Sequence, residues 1–336
     1  MHLIVDNWKT FIGKKENRFE LVHEGGKEEY CADDVSQIII SAASSISIGA
    51  IKLAMEKGID IVLMRHRGEP AGRIYPCKLG GTTLTRKRQL EAYFSDKGFA
   101  LAKKFIEAKI RNQVAVLKAL AKTRTGIDFS QEIARMEASI SQIEAIKSGQ
   151  LDDVREQLLG FEGNSANEYF QALSKIVPIE KRDRKGGDGF NAMLNYAYGI
   201  MYSEVEKACI LAGLDPYFGY LHTDRYGKPS MVLDLIEEFR APIADKAVIN
   251  LFSRKQVSEE DFEKNGETFF LSERGRKKVV EAVMRRLYGK VDNGNKTKRF
   301  KNVVVSQARS IARFVLGQTD DYKPFLLGGG KKCSIG

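Results

Sequence analysis

"CKLGGTTLTRKRQLEAYF", residues 77–94, divides two sequence patterns. Its first half, with paired glycines and three threonines, has no periodicity and reads as a linker. From Arg86 onward the chain is rich in Ala, Leu, Lys and Glu, with apolar residues at helical spacing. Upstream, "HLIVD" (2–6), "RFELVH" (18–23), "SQIIIS" (36–41), "DIVLM" (60–64) and "AGRIYP" (71–76) are short, β-branched and separated by "EGGK" and "RGEP". One helix interrupts them at "SISIGAIKLAMEKG" (45–58), with serine available as N-cap and Gly58 placed to end it. Downstream, helical periodicity recurs from "KKFIEAKIRNQVAVLKALAK" (103–122) to "SQARSIARFVLG" (306–317), and Pro178, Pro216 and Pro242 fall at boundaries. The pattern predicts an α+β multidomain protein. A small β-rich domain, residues 1–85, precedes a large all-helical domain, 86–336, whose end "LLGGGKKCSIG" (326–336) reads as a flexible tail.

The 336 residues suffice for two domains with sizeable cores, and 43% hydrophobic against 29% charged residues excludes global disorder. The net charge of +10 is segregated. Residues 1–77 hold 10 basic and 11 acidic side chains, leaving 44 against 33 for the rest. Such a balance points to a polyanionic partner, nucleic acid ahead of membrane. Cys31, Cys77, Cys209 and Cys333 are too scattered for a zinc cluster or a disulfide framework, which predicts reduced thiols in a cytoplasmic protein. Asp6 and Lys9 interrupt any signal-peptide pattern, and no apolar run is long enough to span a bilayer.

Three stretches carry candidate chemistry. In "VLDLIEEFR" (232–240), helical spacing gathers Leu233, Leu235, Ile236 and Phe239 on one side and Asp234, Glu237 and Glu238 on the other. That ridge is either a solvated acidic face or a set of ligands whose mutual repulsion a cation removes. His222 ends the run "YFGYL", and Gly227 and Pro229 can turn the chain so that the acidic face returns to the imidazole. It is either a core histidine or a ligand. Glu162 lies between Gly160 and Gly163 and ahead of the helix beginning near Ala166, where it either complements a helix dipole or stands open to a phosphate. Basic stretches surround these acids: "KRDRKGG" (181–187), and residues 273–301 with 11 Lys and Arg against three acids. Carboxylates, an imidazole and basic surface in one domain favour phosphodiester chemistry, with a hard divalent ion at the phosphorus.

Taken together, "LLGFEGNSANEYF" (158–170), "NYAYGIMYSEVEKACILAGLDPYFGYLHTDRYGKPSMVLDLIEEFRAPIADKAVI" (195–249) and the late "YKPF" (322–325) resemble the CRISPR-associated integrase, the adaptation nuclease that inserts new spacers into CRISPR arrays. The resemblance spans most of the chain. It implies a metal-dependent endonuclease and integrase acting by transesterification with a 3′-hydroxyl, or by nicking with water. The implied catalytic and metal ligands are Glu162, His222 and Glu237, holding Mg²⁺ or Mn²⁺, with Asp234 as a supporting acid. It also implies double-stranded and single-stranded DNA as partners, a homodimer formed through the first domain, and a small ferredoxin-like companion subunit.

Lys228, Arg285, Arg286, Lys298 and Arg299 are candidate phosphate contacts, and Tyr169 and Tyr202 are candidate linings of a substrate groove. On this reading Glu238 is a dispensable neighbour, and removing one crowded carboxylate raises the stability of the metal-free protein. Two other functions fit the same residues: a metal-dependent nuclease for branched or repair-intermediate DNA, and a non-catalytic DNA-binding scaffold.

Overall fold

The structure, a computed structural model, describes residues 1–65, 70–75, 82–124, 126–147, 149–222, 227–266, 268–293 and 296–328. The chain forms two compact units, Met1–Leu79 and Gly80–Gly336. Much of the linker read at residues 77–85, Cys77, Cys333 and the tail from residue 329 onward lie outside the described residues.

The first unit contains β1 (His2–Val5), β2 (Phe11–Lys15), β3 (Arg18–His23), β4 (Gly26–Cys31), β5 (Gln37–Ile40), β6 (Ser45–Ile46), α1 (Ile48–Glu56), β7 (Asp60–Met64) and β8 (Pro70–Ile74). They make two four-stranded sheets, ordered β1-β5-β7-β8 and β4-β3-β2-β6. β5 runs parallel to both β1 and β7 and is buried along its length, which is why Ile38, Ile39 and Ile40 follow one another without alternation, and the buried Gln37 ahead of them donates to Asp60 Oδ2 at 3.0 Å. α1 starts where Ser47 accepts a hydrogen bond from the Ala50 amide, and the chain leaves it through Gly58 at φ +67°. Its Ala50, Leu53 and Ala54 enter a core with Ile12, Phe19, Ile38 and Ile61. β2 and β4, "FIGKK" and "GKEEYC", escape the sequence reading because each buries only two adjacent residues or fewer and leaves the rest exposed, with Tyr30 and Cys31 of the edge strand β4 half-buried.

The second unit opens with α2 (Thr82–Tyr93), α3 (Asp96–Ala121), α4 (Ser130–Ala145), α5 (Leu151–Ser174) and α6 (Gly189–Leu211). Then come the short α7 (Ser230–Ile236), a π-helical turn over Arg240–Asp245, and α8 (Lys246–Ser253). Two antiparallel hairpins follow: β9 (Phe262–Asn265) with β10 (Thr268–Leu271), and, after α9 (Glu273–Tyr288), β11 (Lys290–Asn293) with β12 (Lys296–Arg299). α10 (Phe300–Val315) closes the unit. The all-helical expectation for this domain is therefore corrected. Two residues led by glycine connect each hairpin in sequence, Gly266-Glu267 and Gly294-Asn295, with Gly266 at φ +61°. A two-residue connection led by glycine is a hairpin signal, here masked by the helical composition around it. The π-turn packs against α3, α6, α8 and α9, so the segment carrying Glu237 leads straight into the helical core.

Candidate active site

Glu162 does not begin a helix. α5 runs unbroken from Leu151 to Ser174, which places Glu162 in its middle and corrects the helix-dipole alternative. Gly160 and Gly163 sit inside that helix at a cost of about 1 kcal/mol each relative to alanine. A side chain at either position would meet nothing within 4 Å, so the helix surface beside Glu162 is bare.

Asp234, Glu237 and Glu238 do not form a common face either. All three are buried, and each goes to a different place. α7 ends at Ile236, so the helical spacing that aligned them does not continue through Glu237 and Glu238. Asp234 turns to the loop before it. Its Oδ2 accepts from the amides of Tyr220 (2.6 Å) and Leu221 (3.0 Å), and its Oδ1 accepts from the His222 amide (3.0 Å). Gly219 permits this approach, because a Cβ there would lie 2.6 Å from the Ser230 backbone and 2.8 Å from Asp234 Oδ2. His222 Nδ1 stands 2.8 Å from Asp234 Oδ1. A carboxylate at that distance fixes the proton on Nδ1 and leaves Nε2 as an acceptor or ligand. Asp234, expected as a supporting acid of the site, is the partner of His222 in the structure. The residues that follow, 223–226, lie outside the described set.

Glu237 meets Glu162 through a residue absent from the sequence reading. The ammonium of Lys109, from the middle of α3, pairs with Glu162 Oε1 and lies 2.8 Å from Glu237 Oε2. Glu237 Oε1 pairs with Arg240 Nε at 3.1 Å. Burial alone would push Glu237 up, but Arg240, Lys109 and His222 hold it down at about 2. Lys109 is held above the ordinary lysine value, because Glu237 and Glu162 outweigh the burial that would lower it. A sequence signal for Lys109 exists. It falls on the buried stripe of α3 with Phe105, Ile106, Asn112, Gln113 and Val116, where an unpaired lysine is not tolerated.

Arg240, quoted in the motif but given no role, anchors the other side. Its Nη2 donates to the Tyr202 hydroxyl (3.0 Å), and its guanidinium lies 4.7 Å from the Tyr198 ring centre. Arg182 of the "KRDRKGG" loop lies 5.3 Å from the same ring, and Tyr198 donates to Asp245 Oδ1 at 2.7 Å. Tyr202 is half-buried at this cluster. Tyr169 is fully buried, its ring edge-on to Phe170, so it lies in the core and lines no groove.

Glu238 leaves the site altogether. It accepts from the Tyr322 hydroxyl, the Phe325 amide (2.8 Å) and Gln307 Nε2 (3.1 Å). Asn112 adds its Nδ2 to the carbonyls of Glu238 (2.8 Å) and Phe325 (3.0 Å), and accepts from the Leu327 amide (2.7 Å). Phe325 stacks on Phe239 at 5.7 Å. "YKPF" is therefore a plug seated on Glu238, and the stretch read as tail is tied down as far as Leu327. Burial raises Glu238 to about 7 against the pull of its three donors. It is a structural residue, not a dispensable neighbour.

The basic candidates separate as well. Arg285, Arg299 and Lys228 are exposed and Lys298 is half-buried on β12. Arg286 instead donates through Nη2 to the Pro242 carbonyl (2.6 Å) and packs 5.2 Å from the Phe300 ring. Through these contacts it braces the π-turn.

Among the described residues, no three His, Cys, Asp or Glu side chains stand together as a metal centre. The donor set nevertheless suits a divalent ion. Two carboxylates already converge on one cation, the Lys109 ammonium, and His222 turns Nδ1 to Asp234, which leaves its Nε2 available to a metal.

A family model described as CRISPR associated protein Cas1 matches residues 3–285. The chain belongs to the Cas1 family. Cas1 is the spacer-acquisition integrase, so the family read from the motifs is the correct one. The chain is 35% identical over 340 residues to a CRISPR-associated endonuclease Cas1 of Archaeoglobus fulgidus, covering 95% of this chain and 97% of the relative. A Thermus thermophilus Cas1 endonuclease is 30% identical, with 94% of each chain covered. Among solved structures, a casposase bound to integration product superposes with a TM-score of 0.84 at 25% identity, over 96% of this chain and 92% of that one. A Cas1 protein from Thermotoga maritima, at 20% identity and a TM-score of 0.78, shares the fold over 94% and 97% of the two chains. These Cas1 relatives make this chain one of a nuclease and integrase family. Among the described residues, no helix is long and apolar enough to cross a membrane.

Proposed function

We propose that this Cas1 chain is a metal-dependent DNA integrase and endonuclease that inserts new spacer DNA into a CRISPR array by 3′-hydroxyl transesterification and can nick DNA. The observation that carries the reading is the meeting of Glu162 and Glu237, from segments 75 residues apart, on one cation, the Lys109 ammonium. Glu162, Glu237 and His222 Nε2 would hold Mg²⁺ or Mn²⁺. When bound, that ion lowers the pKa of an attacking hydroxyl or water and offsets charge at phosphorus. Asp234 keeps His222 oriented and its proton on Nδ1, and Arg240 keeps Glu237 ionised and aimed. Lys228, Arg285, Lys298 and Arg299 would grip the phosphate backbone, and the bare stretch of α5 would let it approach Glu162. The casposase bound to its integration product supports a strand-transfer reading over simple cleavage. We further propose a homodimer through the first unit and a small ferredoxin-like companion subunit, in the cytoplasm.

The test is strand transfer of a duplex with free 3′ ends into a repeat-containing plasmid, with Mn²⁺ present. Glu162→Ala, His222→Ala and Glu237→Ala should each abolish transfer and nicking while DNA binding persists. Full transfer by the Glu162 or His222 variant would sink the proposed site. Cleavage of branched DNA without integration would move the chain to the repair-nuclease reading, and metal-independent binding alone would make it a scaffold.

A further inference from the structure

Lys109 occupies a position that the proposed chemistry does not use. It is one of two cations in a cluster of four charges: Glu162 and Glu237 against Lys109 and Arg240. The set is electrically neutral, and the Lys109 side chain is only 10% exposed. The two cations are not equivalent. Arg240 reaches Glu237 alone and is fastened by the Tyr202 hydroxyl and the Tyr198 ring. Lys109 touches both acids and ends a flexible stem. A divalent ion entering between the two carboxylates would meet the ammonium on the same oxygens, and a buried neutral set cannot accept two further positive charges without releasing one. The tethered lysine is the one that can leave.

We propose that Lys109 is a built-in competitor for the divalent ion. It bridges Glu162 and Glu237 in the metal-free chain, keeps the two acids together, and must be displaced when the metal enters. This rests on the metal site proposed above. Lys109 is a positioning residue here: it preserves the site before loading and sets how tightly the ion binds.

Mn²⁺ titrations of the full chain, followed by the paramagnetic resonance signal of free ion, test this directly. Removing the competitor, in Lys109→Met or Lys109→Gln, should tighten Mn²⁺ binding about tenfold or more, and Glu162→Ala should abolish that uptake. A purely structural lysine would leave affinity unchanged or weaken it, and either result overturns the proposal while leaving the metal site standing. Mn²⁺ uptake that is indifferent to Glu162 in every chain would overturn both. The unmodified chain supplies a measurement that does not depend on how the variants fold. Amine labelling read by mass spectrometry should find Lys109 protected without metal and reactive with Mg²⁺. Labelling of Lys109 unaltered by Mg²⁺ would overturn the displacement.

Discussion

Glu237 and Glu238 are neighbours in sequence, yet they enter regions of opposite character. Around Glu237 the partners are charged, Lys109 and Arg240, and the carboxylate is driven down to about 2. Around Glu238 they are neutral donors from Tyr322, Phe325 and Gln307, and burial drives it up to about 7. The pair shows how to tell a working carboxylate from a building one. A carboxylate paired with side-chain cations can exchange one for a metal or a phosphate. One saturated by a peptide amide, a phenol and an amide side chain has nothing to exchange, and it holds the chain end in place.

The hardest blow to this contrast is Glu238→Ala. It strands three buried donors and unseats the plug, and should cost about 4 kcal/mol of unfolding free energy. A urea midpoint within experimental error of wild type would erase the distinction. Glu237→Ala, without metal, leaves Lys109 and Arg240 short of their partner and should destabilise by about 3 kcal/mol. This reverses the expectation that relieving crowded carboxylates is stabilising, because Lys109 already neutralises them. Adding Lys109→Met to Glu237→Ala should cost less than the two separate losses combined, which a double-mutant cycle measures.

A pH series probes the same contrast by titration. Folded Glu238 keeps its proton up to about pH 7, whereas an unfolded glutamate releases it near 4.5. Between those values the folded state binds more protons, so the Glu238 contribution falls as pH rises from 4.5 to 7 and is level above that. Glu238→Gln removes the slope, and its stability relative to wild type should climb through that window by about 3 kcal/mol. Glu237 contributes the opposite sign: its stabilisation is complete above 4.5 and is lost only as pH falls towards 2. A flat difference curve for Glu238→Gln would show that its carboxyl is ionised throughout.

The mildest change concerns DNA. Replacing Arg285, Lys298 and Arg299 by glutamine should lower the log–log salt slope of DNA binding by about 0.9 for each phosphate no longer neutralised. Arg286→Gln should leave the slope alone and reduce stability by about 1 kcal/mol, because its donors serve the Pro242 carbonyl. A slope change confined to Arg286→Gln would return that residue to the DNA path.

What the sequence made legible follows from what each pattern measures. Strands such as β5 and the helix α1 were readable because local composition and caps decide them. The hairpins were not, although glycine leads both two-residue connections, because the surrounding Lys and Glu outweighed a dipeptide. Glu162, His222 and Glu237 could be named from motifs, but their meeting point could not. It depends on Lys109, a residue from another helix whose only trace in sequence is a charge on an apolar stripe. The acidic ridge misled for a physical reason: helical spacing was extended past Ile236, where α7 stops.

The π-turn at Arg240–Asp245 also governs angular phase. A wider turn advances each residue through a smaller angle than an α-helix does, so side chains on α8 are out of step with those on α7. Within six residues this offset sends Arg240 to Glu237, the Pro242 carbonyl to Arg286 and Asp245 to Tyr198. Deleting one residue there would restore ordinary helical phase and break all three at once. The length of 240–245 is therefore held by three separate contacts at once, to Glu237, Arg286 and Tyr198, and not by the identity of any one residue.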